Sequence, residues 1–136
     1  MELHVSSLMT TPATTVRADD TIGAVADTLR LHDLSFVPVV DKPDGAVLGI
    51  ISASDILHFQ AAGRELQSVL AWQICAYNPI AVEPDAPAAD VARLMLKHQV
   101  HHVVVMKNRE LVGIVSSLDF VRLFLSREQD GEQGTS

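Results

Sequence analysis

Gly49-Ile50-Ile51-Ser52-Ala53-Ser54-Asp55 decides the reading of this chain, because the sequence writes it a second time as Gly113-Ile114-Val115-Ser116-Ser117-Leu118-Asp119. In both copies a short apolar run of strand character reaches a serine, and three residues later a carboxylate opens an amphipathic stretch. That stretch carries Ile56, Leu57 and Phe59 in the first copy and Phe120, Val121, Leu123 and Phe124 in the second. Each copy predicts strand, tight turn and helix N-terminus. The first turn of a helix presents unpaired N–H groups and partial positive charge, which suits a phosphate, and a neighbouring hydroxyl and carboxylate can hydrogen-bond a sugar. Ser-x-x-Asp is equally a capping box, with the serine oxygen accepting from the third N–H and the aspartate reaching back. For one copy alone the cap is the simpler reading; the surroundings of the two copies argue for a site.

Outward from these corners the whole chain is doubled. Val5 to Met9 is a short apolar lead-in, followed by the extended-looking Ala13 to Val16. Asp20 or Thr21 then caps a helix whose apolar face is Ile22, Val25, Ala26 and Leu29, the i, i+3, i+4, i+7 spacing, ending near His32-Asp33. Phe36 to Val40 reads as a strand, Asp41 to Gly45 as a turn, and Ala46 to Ile51 as the return strand. The pattern restarts with Pro79 for Pro12, Val82 for Val16, and the face Ala88, Val91, Ala92, Met95 for Ile22, Val25, Ala26, Leu29. His102 to Met106 matches Phe36 to Val40. The offset falls from 66 (16 to 82) to 64 (49 to 113) because the five-residue turn shrinks to Lys107-Asn108-Arg109. A length change confined to a turn is what a duplication tolerates. The expected units are a first repeat over 5–60, a connector over 61–71 with helical content after Gly63, a second repeat over 72–126 and a polar, disordered tail over 127–136. Trp72, aligned with Val5, is expected in the core rather than as a stacking platform.

A 136-residue chain split into halves of about sixty leaves each half near the lower limit for an independent core, so the halves are expected to fold against each other. The fold class is α/β (α+β): two β-α-β-β-α repeats packed sheet to sheet about a pseudo two-fold axis, with a cleft between them. Hydrophobic residues make up 48%, yet no apolar run reaches the ~18 to 20 residues that cross a bilayer, and Met1-Glu2-Leu3-His4 does not begin an export signal. The expectation is a cytoplasmic protein without membrane contact. A net charge of −7 with scattered Lys and Arg disfavours nucleic acid. Cys75 is the sole cysteine, which excludes an internal disulfide and reads as a core thiol.

The ordered, doubled set of motifs resembles the tandem cystathionine-β-synthase (CBS) domain pair, or Bateman module, over roughly Val5 to Leu125. The first copy has Leu8-Met9-Thr10-x-Pro12, Leu34-Ser35-Phe36-Val37-Pro38-Val39 and Gly49-Ile50-Ile51-Ser52-x-x-Asp55; the second keeps Asn78-Pro79, Val100-His101-His102-Val103-Val104-Val105 and Gly113-Ile114-Val115-Ser116-x-x-Asp119. The resemblance implies a regulatory module for an adenosine-containing nucleotide of the AMP, ADP, ATP, S-adenosylmethionine or NAD class, often as a homodimer, with no required cofactor and no catalysis. In such modules the motif aspartate, here Asp55 and Asp119, accepts from the ribose hydroxyls, and the motif hydroxyl, here Ser52 and Ser116, contacts phosphate or ribose. Backbone groups near Phe36, Val37 and Pro38, near His102, Val103 and Val104, and near Thr14, Thr15, Ile80 and Ala81 hold the adenine. Both motif hydroxyls are serine where the family often has threonine, and Val104 replaces the proline seen at Pro38. Some members, such as the gamma subunits of AMP-activated kinase, carry a His-Arg pair that reaches phosphates before the core strand. Here that place holds His101-His102 in the second copy and Ser35-Phe36 in the first, so phosphate contacts are expected mainly from the second half.

A zinc site is disfavoured, since His101 and His102, adjacent in a predicted strand, point to opposite faces and leave no three-ligand set with His98. No nucleophile elbow or Walker loop is present, and nothing distinguishes Asp55 from Asp119 as acid and base, so an enzyme is not expected. The competing reading is a ligand-free scaffold whose exposed helical faces dimerise or dock an enzyme or transporter. With no catalytic segment in the sequence, output is expected through association with a separate protein.

Overall fold

A computed structural model describes residues 2–42 and 45–134. Pro43 and Asp44, in the middle of the expected turn Asp41 to Gly45, lie outside the described residues, as do Met1, Thr135 and Ser136. After a short 3-10 helix, Val5–Ser7, the first half runs β1 (Val16–Arg17), α1 (Ile22–Leu31), β2 (Phe36–Val40), β3 (Val47–Ser52) and α2 (Ala53–Ala61). The second runs α3 (Ala71–Ile74), β4 (Ala76–Tyr77), β5 (Ala81–Val82), α4 (Ala88–His98), β6 (His102–Lys107), β7 (Glu110–Ser116) and α5 (Ser117–Gly134). Of the two candidate caps for α1, Thr21 serves, its Oγ1 accepting from Ala24 N at 3.1 Å, while Asp20 accepts from Arg17 N. Helices α1 and α4 are followed at matching positions by the left-handed residues Asp33 and Gln99, which stop the spiral. The β6–β7 turn is tighter than expected: Lys107 stays in the strand, and Asn108 and Arg109, both at positive φ, form the two-residue connection that matches strand twist.

Two expectations, for the connector and for the C-terminal segment, change. Residues between Gly63 and Leu70 form turns rather than helix, because Gly63 at φ +76° ends the helical run and Leu66 and Val69 are drawn into the first core. Over 127–134, expected as part of a disordered tail, α5 instead continues through Gly134, extending an apolar helical turn into the helix-favouring Arg127-Glu128-Gln129, while 135 and 136 lie outside the described residues.

Each half has its own core between sheet and helices. Val37, Val39 and Ile51 meet Ile22, Val25, Leu29, Ile56 and Phe59 in the first; Val103, Val105 and Val115 meet Val91 and Met95 in the second. Because side chains alternate along a strand, Phe36, Pro38 and Ile50, and their counterparts His102, Val104 and Ile114, occupy the opposite sheet faces. There the halves meet: the rings of Phe36 and His102, equivalent residues of the two repeats, lie 4.3 Å apart between centroids, on the pseudo two-fold axis.

The lead-in of each half belongs to the other half. Val5, fully buried, sits in the second core, with Val5 N donating to Ala86 O (2.8 Å) and Ser6 N to Pro84 O (3.0 Å). Ala71 does the same for the first core, its N donating to Asp20 O (2.8 Å), and Trp72 N donates to Ala18 O (3.1 Å). Val5 is therefore matched by Ala71, and Trp72, expected in the core, falls one place out of register and is 48% exposed. The strands cross likewise. β4 adds antiparallel to β3, completing the order β1-β2-β3-β4, and Thr10 bridges Ile114 at the same edge of the sheet β5-β6-β7. This crossing explains the motif glycines. A Cβ on Gly49 would fall on the carbonyl oxygen of Ala76, and one on Gly113 would lie 2.6 Å from Met9 Sδ and 3.1 Å from Thr10 O.

Candidate functional site

The first corner is a complete capping box. Ser52 Oγ accepts from Asp55 N at 3.1 Å, and Asp55 Oδ2 accepts from Ser52 N at 2.9 Å. The cap reading is thus correct, and it does not exhaust the carboxylate: among the described residues, Asp55 Oδ1 has no hydrogen-bond partner. At the second corner Ser116 N donates to Asp119 Oδ2 at 2.7 Å, Ser116 Oγ lies 3.3 Å from the same oxygen, and Arg122 Nη1 donates to Oδ1 at 3.0 Å. Both serines are buried with their hydrogen-bonding atoms partnered.

Each corner opens into a cleft walled by the other half. A cavity of about 390 Å³ is lined by Ser52, Ser54 and Asp55 on one side and by Val100, His101 and His102 on the other, with the crossing segment Ala76 to Ile80 as its third wall. Its pseudo-symmetric counterpart, about 280 Å³, sets Ser116, Leu118, Asp119 and Arg122 against Asp33, Leu34, Ser35 and Phe36, with Thr10 from the crossing lead-in. Their volumes sit near the lower end of the ~300 to 1,000 Å³ range of small-molecule sites. Phe36 lines one cleft and His102 the other, so their ring contact divides the two.

Of the residues singled out from sequence, the first cleft gathers Ser52, Asp55, Ile80, His101 and His102, and the second gathers Ser116, Asp119 and Phe36. Val37 and Val103 turn their side chains into the two cores, leaving only main-chain groups for any contact. Pro38 is buried, and Thr14, Thr15 and Ala81 do not line either cleft. The opposite-face argument for the histidines does not hold, since β6 begins at His102 and His101 precedes the pleat; both rings line one cleft, 6.4 Å apart and edge to face. Burial, and after it the neighbouring His101, push the His102 imidazole below its usual pKa, while Asp55 pulls it the other way. Among the described residues no group of three or more His, Cys, Asp or Glu could hold a metal ion. Also among them, no helix is long and apolar enough to cross a membrane.

Sequence reasoning missed Arg122 and the wall formed by Ala76 and Tyr77. Arg122 had a readable signal, its i, i+3 spacing from Asp119, where the first repeat has His58. The wall had none, because it is contributed across the repeats.

The comparisons with known proteins agree with this fold. The family model for the CBS domain matches twice, over residues 5–62 and 71–126. The chain is similar to the CBS domain-containing protein YhcV of Bacillus subtilis (strain 168), 29% identical over 133 residues that cover 97% of this chain and 93% of the relative. Among solved structures it is similar to the CBS domain pair of protein MJ0100 in complex with 5'-methylthioadenosine and S-adenosyl-L-methionine, with a TM-score of 0.79 and 31% identity over 90% of this chain and 99% of that one. It is also similar to Hypoxic Response Protein I with two coordinated zinc ions, with a TM-score of 0.74 and 26% identity over 88% and 98% of the two chains. Two family matches laid over two pseudo-symmetric halves identify the chain as a member of the CBS-domain family, built as a CBS domain pair.

Proposed function

We propose that this CBS pair is a regulatory sensor that holds an adenosine-containing nucleotide between its halves and signals to a separate protein. The observation that carries the reading is the composite make-up of the clefts: a serine–aspartate corner of one half faces the strand start of the other, so a ligand there bridges both halves. An ionised carboxylate is an acceptor-only group suited to a ribose diol, and a helix N-terminus suits a phosphate. Asp55, Ser52 and the histidines supply these groups together, and the MJ0100 pair carries two adenosine compounds on the same fold. The ligand's effect is to change the relative geometry of the halves, and with it the surface offered to a partner. Exposed Leu118, Val121, Phe124 and Leu125 on α5 support association, with a second copy as the expected homodimer or with a regulated enzyme or transporter.

A thermal-shift screen with AMP, ADP, ATP, S-adenosylmethionine and NADH tests this. A ligand at a hundredfold its Kd adds about 2.7 kcal/mol to stability. A shift that disappears in the Asp55→Ala, Asp119→Ala double variant supports the reading. No shift with any compound favours the ligand-free scaffold, and a shift that persists in the double variant removes the carboxylates from the site.

A further inference from the structure

The pseudo two-fold axis would make the two clefts equal, and their side chains break that equality at three matched places. The first is the carboxylate. Asp119 is only 13% exposed and has both oxygens engaged, Oδ1 by the Arg122 guanidinium, whereas Asp55 keeps Oδ1 open because the residue in Arg122's place is His58. The second is the wall supplied by the crossing segment. Tyr77 lines the Asp55 cleft with about half its surface exposed, while the equivalent Thr11 spends its hydroxyl on Val112 O (2.8 Å) and does not line the other. The third is the facing wall: Asp33 and Ser35 face the Asp119–Arg122 pair in one cleft, whereas two imidazoles, His101 and His102, face Asp55 in the other.

We infer that the Asp55 cleft is the nucleoside site of this chain, with the Tyr77 ring as the face on which the base stacks, and that the Asp119 cleft stays unfilled. The inference rests on the nucleotide-binding reading above and adds to it a site, a stoichiometry and a residue. The Tyr77 hydroxyl donates to the Trp72 carbonyl, so the ring is already held and its ordering cost is met before the ligand arrives. The Asp119–Arg122 pair is exposed on the arginine side, with Arg122 at 71%, and opens at modest cost. What disfavours the second cleft is the engagement of both Asp119 oxygens together with the missing aromatic wall.

Isothermal titration of the full chain with adenosine, AMP and S-adenosylmethionine reads the stoichiometry directly, and one equivalent per chain is expected. Asp55→Asn, which loses a charge-assisted acceptor, should weaken binding roughly 10- to 140-fold. Tyr77→Ala should weaken it roughly 5- to 140-fold through lost stacking, and Tyr77→Phe, which keeps the ring, should retain most of the affinity. Two equivalents per chain would overturn the inference while leaving nucleotide binding intact. So would binding lost in Asp119→Asn and kept in Asp55→Asn, or a Tyr77→Ala variant as tight as wild type. Wild-type protein that binds none of the three compounds would remove the nucleotide reading itself, and this inference with it.

Discussion

Replacing Val5 by alanine tests the exchange of lead-in segments on which both clefts depend. Val5 is fully buried in the core of the half to which it does not belong in sequence, so truncation should destabilise the second half. Removing two buried methyl groups loses about 1.6 kcal/mol of transfer free energy at ~0.8 kcal/mol each, and the residual cavity brings the cost to about 2 kcal/mol. With 136 residues, the unfolding entropy is about 0.29 kcal/mol/K, so the melting temperature should fall by about 7 °C. Trp72→Ala is the paired control: its side chain is half exposed, and a shift of under about 2 °C is expected although it removes far more atoms. The assay is thermal unfolding by circular dichroism, with hydrogen exchange to locate the effect. Loss of protection in β6, β7 and α4, with β2, β3 and α1 unchanged, is the expected pattern. If Trp72→Ala proves the more damaging change, or the lost protection falls in the first half, the crossing of the lead-ins is wrong.

Three further outcomes follow from the same contacts. Gly49→Ala should cost about 1 to 3 kcal/mol by overpacking, because its Cβ meets the rigid carbonyl of Ala76, while Gly113→Ala should cost less, because the Met9 side chain can swing away; equal melting temperatures would refute this. The depressed pKa of His102 means that the unfolded chain takes up its proton first. Its contribution to stability is therefore complete above the reference value of about 6.5 and is lost as pH falls below that value through the lower folded one. Between pH 7 and pH 5 the wild type should lose more melting temperature than His102→Phe, and identical losses would count against the buried imidazole. For Cys75, burial raises the thiol pKa, so at pH 8 labelling by a thiolate-reactive disulfide should be slower than for a free thiol and should accelerate on unfolding. Labelling at the free-thiol rate in the native state would contradict its burial.

The depressed His102 pKa also bears on phosphate binding. Tighter binding of phosphate at pH 6 than at pH 8 is expected where an imidazole protonates beside it, and His102 needs a lower pH for this than an isolated imidazole.

Much of this molecule is legible in its sequence because the deciding signals are local. Helix α1 follows from Ile22, Val25 and Leu29 at helical spacing, β2 from Phe36 to Val40, and the cap of α2 from Ser52 and Asp55, all settled within a few residues of chain. The duplication then implies a pseudo two-fold pair, since neither half can bury both faces of its sheet alone. What only the tertiary structure decided is which half each lead-in serves: Val5 or Trp72 in a core, Tyr77 in a cleft wall, Thr11 bonded to Val112 across 101 residues of sequence. Two sheets of similar composition offer nearly the same hydrogen bonds and apolar surface to a passing segment. The choice between them turns on close fits, such as Ala76 against Gly49, that no periodicity along the chain encodes.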